Sequence, residues 1–251
     1  MRKTWKTWLC SILCLGMILQ SGAFKPIISS AAEGTVQESA ESNVMYVNGK
    51  TVSSGDGSSA ENAVKTLDEA YAKLSAEGTM DENIIVICGD TEIDLSENKT
   101  YNKAATITGS YGETDYQTKL TGNGNKFLYF KGDTKIENIG FETSTATQIR
   151  CEKNKLILAH AGNTPTVVGC DVEVYSGTYT NVYAYPGADK NAVIKVYGGT
   201  IQHLAVQSNV EITALSFEIN GGKIACVYGG PRNGKSSVSQ IAVSVTQNPT
   251  G

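Results

Sequence analysis

The chain has 251 residues and a formal net charge of −4, with 40% hydrophobic and 18% charged residues, 26 Gly, 12 Tyr and 6 Cys. That balance excludes an intrinsically disordered chain, a collagen-like repeat and a multi-span membrane protein. Residues 1–32 hold Arg2, Lys3, Lys6 and Lys25 and no acid, which leaves the rest at −8 without basic clustering and excludes a nucleic-acid-binding face.

Met1 to Lys6 is a short positive segment, and Trp8 to Leu19 is an apolar run. Small residues follow at Ser29, Ser30, Ala31 and Ala32. This layout predicts a secretory signal peptide over 1–32, cleaved near Ala32. The competing reading is a membrane anchor. An apolar stretch of about a dozen residues falls short of the ~20 needed to span, and Gln20, Lys25 and Pro26 break it. Leu13 before Cys14 is too large for a lipoprotein cleavage site, so Cys10 and Cys14 read as apolar leader residues. Residues 33–43 are polar and aperiodic, a disordered linker. The expected location is therefore extracellular, secreted or on the cell surface, with membrane contact only during export.

A single domain is expected over 44–251. Near its start, Thr66-Leu67-Asp68-Glu69 has the spacing of a capping box. Leu67, Ala70, Tyr71 and Leu74 then fall on one helix face. The pattern predicts a helix of about ten residues, ended by Gly78, lying across the open end of a stack of repeats.

The repeats themselves begin near residue 85. Gly-Asp-Thr-Glu-Ile at 89–93 returns as Gly-Asp-Thr-Lys-Ile at 132–136, and Val-Tyr-Ser-Gly-Thr-Tyr at 174–179 returns as Val-Tyr-Gly-Gly-Thr-Ile at 196–201. Ile87, Ile107, Phe130, Cys151, Val174, Val196 and Ile219 form one apolar column with a mean spacing of about 22 residues. Ile85, Ala105, Leu128, Ile149, Val172, Ile194 and Phe217 form a second column two residues earlier, the alternation of a strand with one buried face. Between them lie Val86, Thr106, Tyr129, Arg150, Glu173, Lys195 and Glu218, whose last four members make an outward ladder of alternating sign. Gly-rich turns and period-2 alternation contradict helical repeats, and one-directional recurrence contradicts a Greek-key sandwich. The expectation is an all-β, right-handed parallel β-helix of about seven coils behind a capping helix.

Ser54-Gly55-Asp56-Gly57-Ser58, followed by Ala63-Val64-Lys65-Thr66-Leu67-Asp68-Glu69-Ala70, resembles the opening segment of secreted right-handed β-helix proteins of the pectate-lyase-like superfamily, the pectin-lyase fold. With the coils, the resemblance covers residues 44 to about 247. It implies a fold more strongly than an activity, because the superfamily includes lyases, glycoside hydrolases, esterases and non-catalytic surface proteins.

Cys88, Cys151, Cys170 and Cys226 lack the pair spacing of a zinc site. The columns set Cys151 and Cys170 four positions apart, roughly 14 Å by strand rise, so four free thiols are expected. Gly229-Gly230-Pro231-Arg232-Asn233-Gly234-Lys235-Ser236 matches a phosphate-cradling loop, but that loop needs a following helix. Val238 to Val245 alternates like a strand instead, so an inserted turn is expected and no nucleotide. Asp56 lacks the spacing of a calcium loop and reads as a turn, so no cofactor is expected and Ca2+ is unsupported.

Enzymes of the resembling superfamily imply paired aspartates with a Gly-His-Gly element, or Ca2+-binding acids with a basic residue. This chain has neither arrangement. Asp171 and Glu173 stand roughly 7 Å apart on one strand face, a separation that glycoside hydrolysis allows. Lys195 beside Glu173 makes a solvated charge ladder the simpler reading. His160 and His203 lie in different coils, and His203 shares its column with Asn181 and Cys226, the position of a polar bend. The positive signal is aromatic: Tyr175 and Tyr197 share one outward column, and Tyr183 and Tyr228 another, with Ala205 between. Exposed Tyr suits sugar faces, although stacked Tyr also stabilises neighbouring strands.

Two readings stand. One is a secreted or cell-surface, adhesin-like protein that binds or displays, with a polysaccharide or cell-surface glycan as partner. The other is the N-terminal part of a polysaccharide lyase or glycoside hydrolase whose catalytic coils lie beyond residue 251. The last coil carries no cap over its apolar layer, which predicts a longer natural chain.

Overall fold

The computed structural model describes residues 43–246. The proposed leader, most of the linker and the final turn lie outside these residues. In chain order the elements are β1 (Asn43–Asn48), α1 (Leu67–Lys73), β2 (Asn83–Gly89), β3 (Thr91–Leu95), β4 (Lys99–Tyr101) and β5 (Ala105–Thr108). There follow β6 (Ser110–Tyr111), β7 (Thr114–Asp115), β8 (Lys119–Gly124), β9 (Leu128–Phe130), β10 (Thr134–Thr143) and β11 (Gln148–Ala161). The last are β12 (Thr166–Val174), β13 (Thr178–Ala184), β14 (Asn191–Val196), β15 (Thr200–Val206), β16 (Glu211–Ile219), β17 (Lys223–Pro231) and β18 (Ser237–Val245).

Every strand pairing is parallel except the small β6–β7 hairpin. The pairings fall into three ladders that the chain visits in turn, a solenoid-like arrangement. The first runs β1–β2–β5–β10 and continues through the later part of β11 and the end of β12 to β14, β16 and β18. The second begins β3–β8–β10, and Thr178, Thr200 and Lys223 carry the same turn-to-strand position later. The third runs β4–β9–β11–β12–β13–β15–β17. Long strands such as β11 and β12 bend from one ladder into the next.

The first ladder corrects the expected columns. Its inward register is Ile85, Ile107, Ile136, Leu158, Val174, Val196 and Ile219. Val174, Val196 and Ile219 stand as the sequence predicts. Ile85 replaces Ile87, while Phe130 and Cys151 belong to the third ladder. The column does not advance evenly: 29 residues separate Ile107 from Ile136, and 16 separate Leu158 from Val174. The first excess accommodates the β6–β7 hairpin. At the turns after Val174 and Val196, glycine is required. Gly199 has φ +82°, and a Cβ there would stand 2.9 Å from the Gly177 carbonyl oxygen.

α1 starts where the capping box predicts. The Glu69 amide donates to Thr66 Oγ1 (3.2 Å), and the Thr66 amide donates to Glu69 Oε2 (2.9 Å). The helix is shorter than expected and Gly78 does not end it. Leu74 is already extended (φ −62°, ψ 155°) and its side chain is buried. Lys103 Nζ donates to the carbonyl oxygens of Tyr71 (2.8 Å), Ala72 (3.1 Å) and Leu74 (2.7 Å). A cation thus satisfies carbonyls that the helix leaves open. The apolar face of α1 joins the solenoid core, with Tyr71 stacked on Tyr101 at 4.1 Å between ring centroids and Tyr101 in turn beside Phe130.

Candidate functional site

Strand alternation turns Asp171 and Glu173 outward on β12, Lys195 on β14 and Glu218 on β16. Glu173 faces Lys195 in register, and Lys195 faces Glu218. Arg150 does not belong to this ladder. It pairs in register with Tyr129 and Val168, bonds Glu152 at 2.9 Å, and stands over the Phe127, Tyr129 and Tyr185 rings. Ile157 occupies the expected place of Arg150, and Lys155, two residues before it, supplies the positive charge.

Glu173 is the centre of the strip, with a side chain only 9% exposed. Lys155 Nζ lies 2.8 Å from Oε1, Lys195 Nζ 3.8 Å from the same oxygen, and Tyr175 Oη donates to Oε2 at 3.1 Å. Burial pushes the carboxyl up, but the Lys155 and Tyr175 bonds and the two lysine charges outweigh it and hold the group below its ordinary value. Asp171, two residues away, moves oppositely. Burial lifts it above the usual aspartate range, and Lys155 offsets only part of that.

Tyr175 and Tyr197 follow directly on β12 and β14. Their rings stack with centroids 4.6 Å apart and planes 15° from parallel, and the residues remain 44% and 40% exposed. The pair makes an apolar shelf on the edge of a charged strip. Tyr183 and Tyr228 are arranged differently. Tyr183 faces Ala205 in register, but the β15–β17 register slips after Leu204, so that Val206 faces Pro231. The Tyr183 hydroxyl is held by Asn181 Oδ1 (3.1 Å), and the Tyr228 ring lies 6.0 Å from that of His203.

No known protein family, characterised protein or solved structure matches this chain. The geometry therefore carries the argument.

The remaining candidates divide by where their side chains point. His160 is buried between Phe141 and Tyr179, its Nδ1 2.8 Å from the Ala161 carbonyl oxygen and its Nε2 3.0 Å from Tyr179 Oη. Burial pushes its pKa down. It is a core group. Asp56 Oδ1 accepts from the amide and hydroxyl of Ser58, which closes a turn. The Gly-x4-Gly-Lys-Ser run is followed by strand β18, so no helix N-terminus meets its glycine-rich turn. No cluster of three metal-ligating side chains occurs among the described residues. A groove of about 900 Å³ opens beside the β6–β7 hairpin, lined by Asp115, Lys119, Asn138 and Ser176 among others. Its one imidazole is that of His160, which is turned to the core.

Sequence reasoning missed Lys155. The signal lay in Leu156-Ile157-Leu158, whose alternation matches Val172-Glu173-Val174 and which the structure pairs residue for residue.

Proposed function

We propose that the protein is a secreted or cell-surface, right-handed parallel β-helix of the pectate-lyase-like type that binds glycan. The observation that supports this is the Tyr175–Tyr197 shelf. Two parallel rings are left nearly half exposed. A sugar ring offers C–H groups to such a face and hydroxyls to its rim. Lys155, Asp171 and Lys195 lie along that rim as hydrogen-bond partners, with the buried Glu173 holding both lysines in place. Tyr175 is also fixed by its bond to Glu173, so less side-chain freedom is lost on binding.

Affinity electrophoresis against neutral and acidic polysaccharides tests the reading. Tyr175→Ala and Tyr197→Ala should each weaken retention at least about fivefold, the order of one aromatic contact. Tyr183→Ala and Tyr228→Ala should do less, because β15 lies between those residues and their rings form no stacked pair. Unchanged retention in the Tyr175/Tyr197 double variant would sink the assignment. The opposed carboxylates favour a second reading, a part of a polysaccharide lyase or glycoside hydrolase. Two neighbouring acids pushed apart in pKa are the usual arrangement for acid and base roles. Release of reducing or unsaturated ends by the chain, abolished in Asp171→Asn, would establish it.

A further inference from the structure

One outward column of the first ladder runs Tyr46, Val86, Thr108, Glu137 and Ala159 in register. Leu158 faces Val174, which faces Val196, so Tyr175 and Tyr197 continue that column. The Tyr175 amide donates to the Leu158 carbonyl oxygen (2.8 Å), which keeps the layers in step. Outward positions are ordinarily exposed, yet Val86 and Thr108 are only 0% and 4% exposed. The β6–β7 hairpin covers them. Tyr111 meets Tyr46 edge to face with ring centroids 6.2 Å apart, and Thr108 Oγ1 donates to the Ser110 carbonyl oxygen (3.1 Å).

Beyond Thr108 the column opens into the groove of about 900 Å³, a volume typical of ligand sites. Hairpin residues Asp115 and Gln117 line one end of it, and Ala159 and Ser176 the other. The shelf follows Ala159 in the same column, so groove and shelf form one cleft that the hairpin closes. From Glu137 to Tyr197 is three strand spacings, roughly 14 Å. Two amides stand at the closed end. Gln117 and Asn138 are exposed in the groove, and among the described residues neither side-chain amide has a hydrogen-bond partner. Their backbones have φ +49° and +50°, a left-handed geometry that glycine would adopt without strain. Gln117 therefore keeps an amide where the turn itself favours none. An amide offers a donor and an acceptor side by side, as the neighbouring hydroxyls of a sugar require. The charged lining is one acid, Asp115, and one base, Lys119, which suits a neutral sugar better than an ionised one.

We propose that groove and shelf are one site for the end of a neutral glycan chain, with Gln117 and Asn138 binding its terminal sugar. This rests on the shelf as a glycan site and adds the ligand's charge, its length and the part of it that is bound. The shelf holds sugars further along the chain. The hairpin stops the chain from passing through, so an internal segment of a long polymer cannot fill the closed end.

The probes are cello-, xylo-, manno- and maltohexaose with their disaccharides, titrated calorimetrically into the full chain. At least one hexaose is expected to bind about fivefold or more tighter than its disaccharide, the order of one or two added hydrogen bonds. The double variant Gln117→Gly/Asn138→Gly keeps the positive φ without strain and removes both amides. It should lose the hexaose advantage and leave disaccharide binding unchanged, which separates loss of the closed end from loss of the fold. At equal sugar mass, the soluble parent polymer, with few ends, should compete more weakly than the hexaose. No hexaose advantage, an advantage that the double variant retains, or a polymer that matches the hexaose overturns the proposal. Disaccharide binding that is lost in Tyr175→Ala would still leave the shelf standing in each of those cases, whereas no binding of any probe overturns both.

Discussion

Asp171 and Glu173 share a strand face but experience opposite fields, so their removal has opposite consequences. Glu173 has its folded pKa depressed by Lys155, Tyr175 and Lys195 in spite of burial. Its contribution to stability is thus fully present above the ordinary glutamate value of about 4.3 and is lost as pH falls through the lower folded value. Glu173→Gln should lower stability at pH 7 by about 1.5–3 kcal/mol, the range for hydrogen bonds to a charged group, and should flatten the acid limb. The raised pKa of Asp171, caused first by burial, means that its ionised form opposes folding above the ordinary aspartate range. Asp171→Asn is expected to leave stability at pH 7 unchanged or to raise it. Urea titrations of both variants at pH 7 and pH 4 check this; equal losses at pH 7 would contradict the assigned environments. The cysteines show how a correct expectation can stand on the wrong distance. The four thiols are free, but Cys151 faces Gly169 in register, so Cys170 is one residue from its partner, not four positions away. Their separation comes instead from direction, with Cys151 in the core and Cys170 at the bend where β12 changes ladder.

At the scale of elements, local signals were legible and distant ones were not. The capping box of α1 involves residues three apart, and both of its hydrogen bonds form as the spacing predicts. The helix end was misread because its determinant, Lys103, lies about thirty residues downstream and reaches Tyr71, Ala72 and Leu74 only through the fold. Lys103→Met should therefore lower stability by up to about 2 kcal/mol, as for a cation at a partly buried helix C-terminus. Lys99→Met, which removes only the exposed pair with Asp68, should lower it by less than about 1 kcal/mol. Thermal unfolding of the two variants separates these cases. The inward columns obey the same logic. From Val174 onward, turns of similar length keep the spacing even and the register readable, and Gly199 and Gly222 mark each return. Before that, the β6–β7 hairpin lengthens one interval and the shared strands β11 and β12 shorten another. Period-2 alternation looks the same on every ladder, so Phe130 and Cys151 could substitute for Ile136 and Leu158 without a break in pattern.

Across the whole molecule, the core is a stack in which each inward side chain touches its own layer and the layers on either side. Leu158 is fully buried between Ile136 and Val174 in the first ladder. Truncation to Ala removes three carbons that the stacked backbone cannot collapse to fill, which in buried sites costs about 2–5 kcal/mol. In a compact globular core such a loss would be felt everywhere at once. In a solenoid, coupling passes through nearest neighbours, so the loss should stay local before it becomes global. Hydrogen–deuterium exchange of Leu158→Ala should accordingly quicken in β10, β11 and β12. β2 and β16, each three pairings removed from β11 along the first ladder, should keep their protection. A uniform rise in exchange from β2 to β16 would mean that the ladders unfold as one cooperative unit. The Tyr175–Tyr197 shelf sits on β12 and β14, inside the zone of lost protection or at its edge. The same variant should therefore loosen the shelf while the α1 end remains intact, which couples the proposed binding surface to the layer beneath it rather than to the chain as a whole.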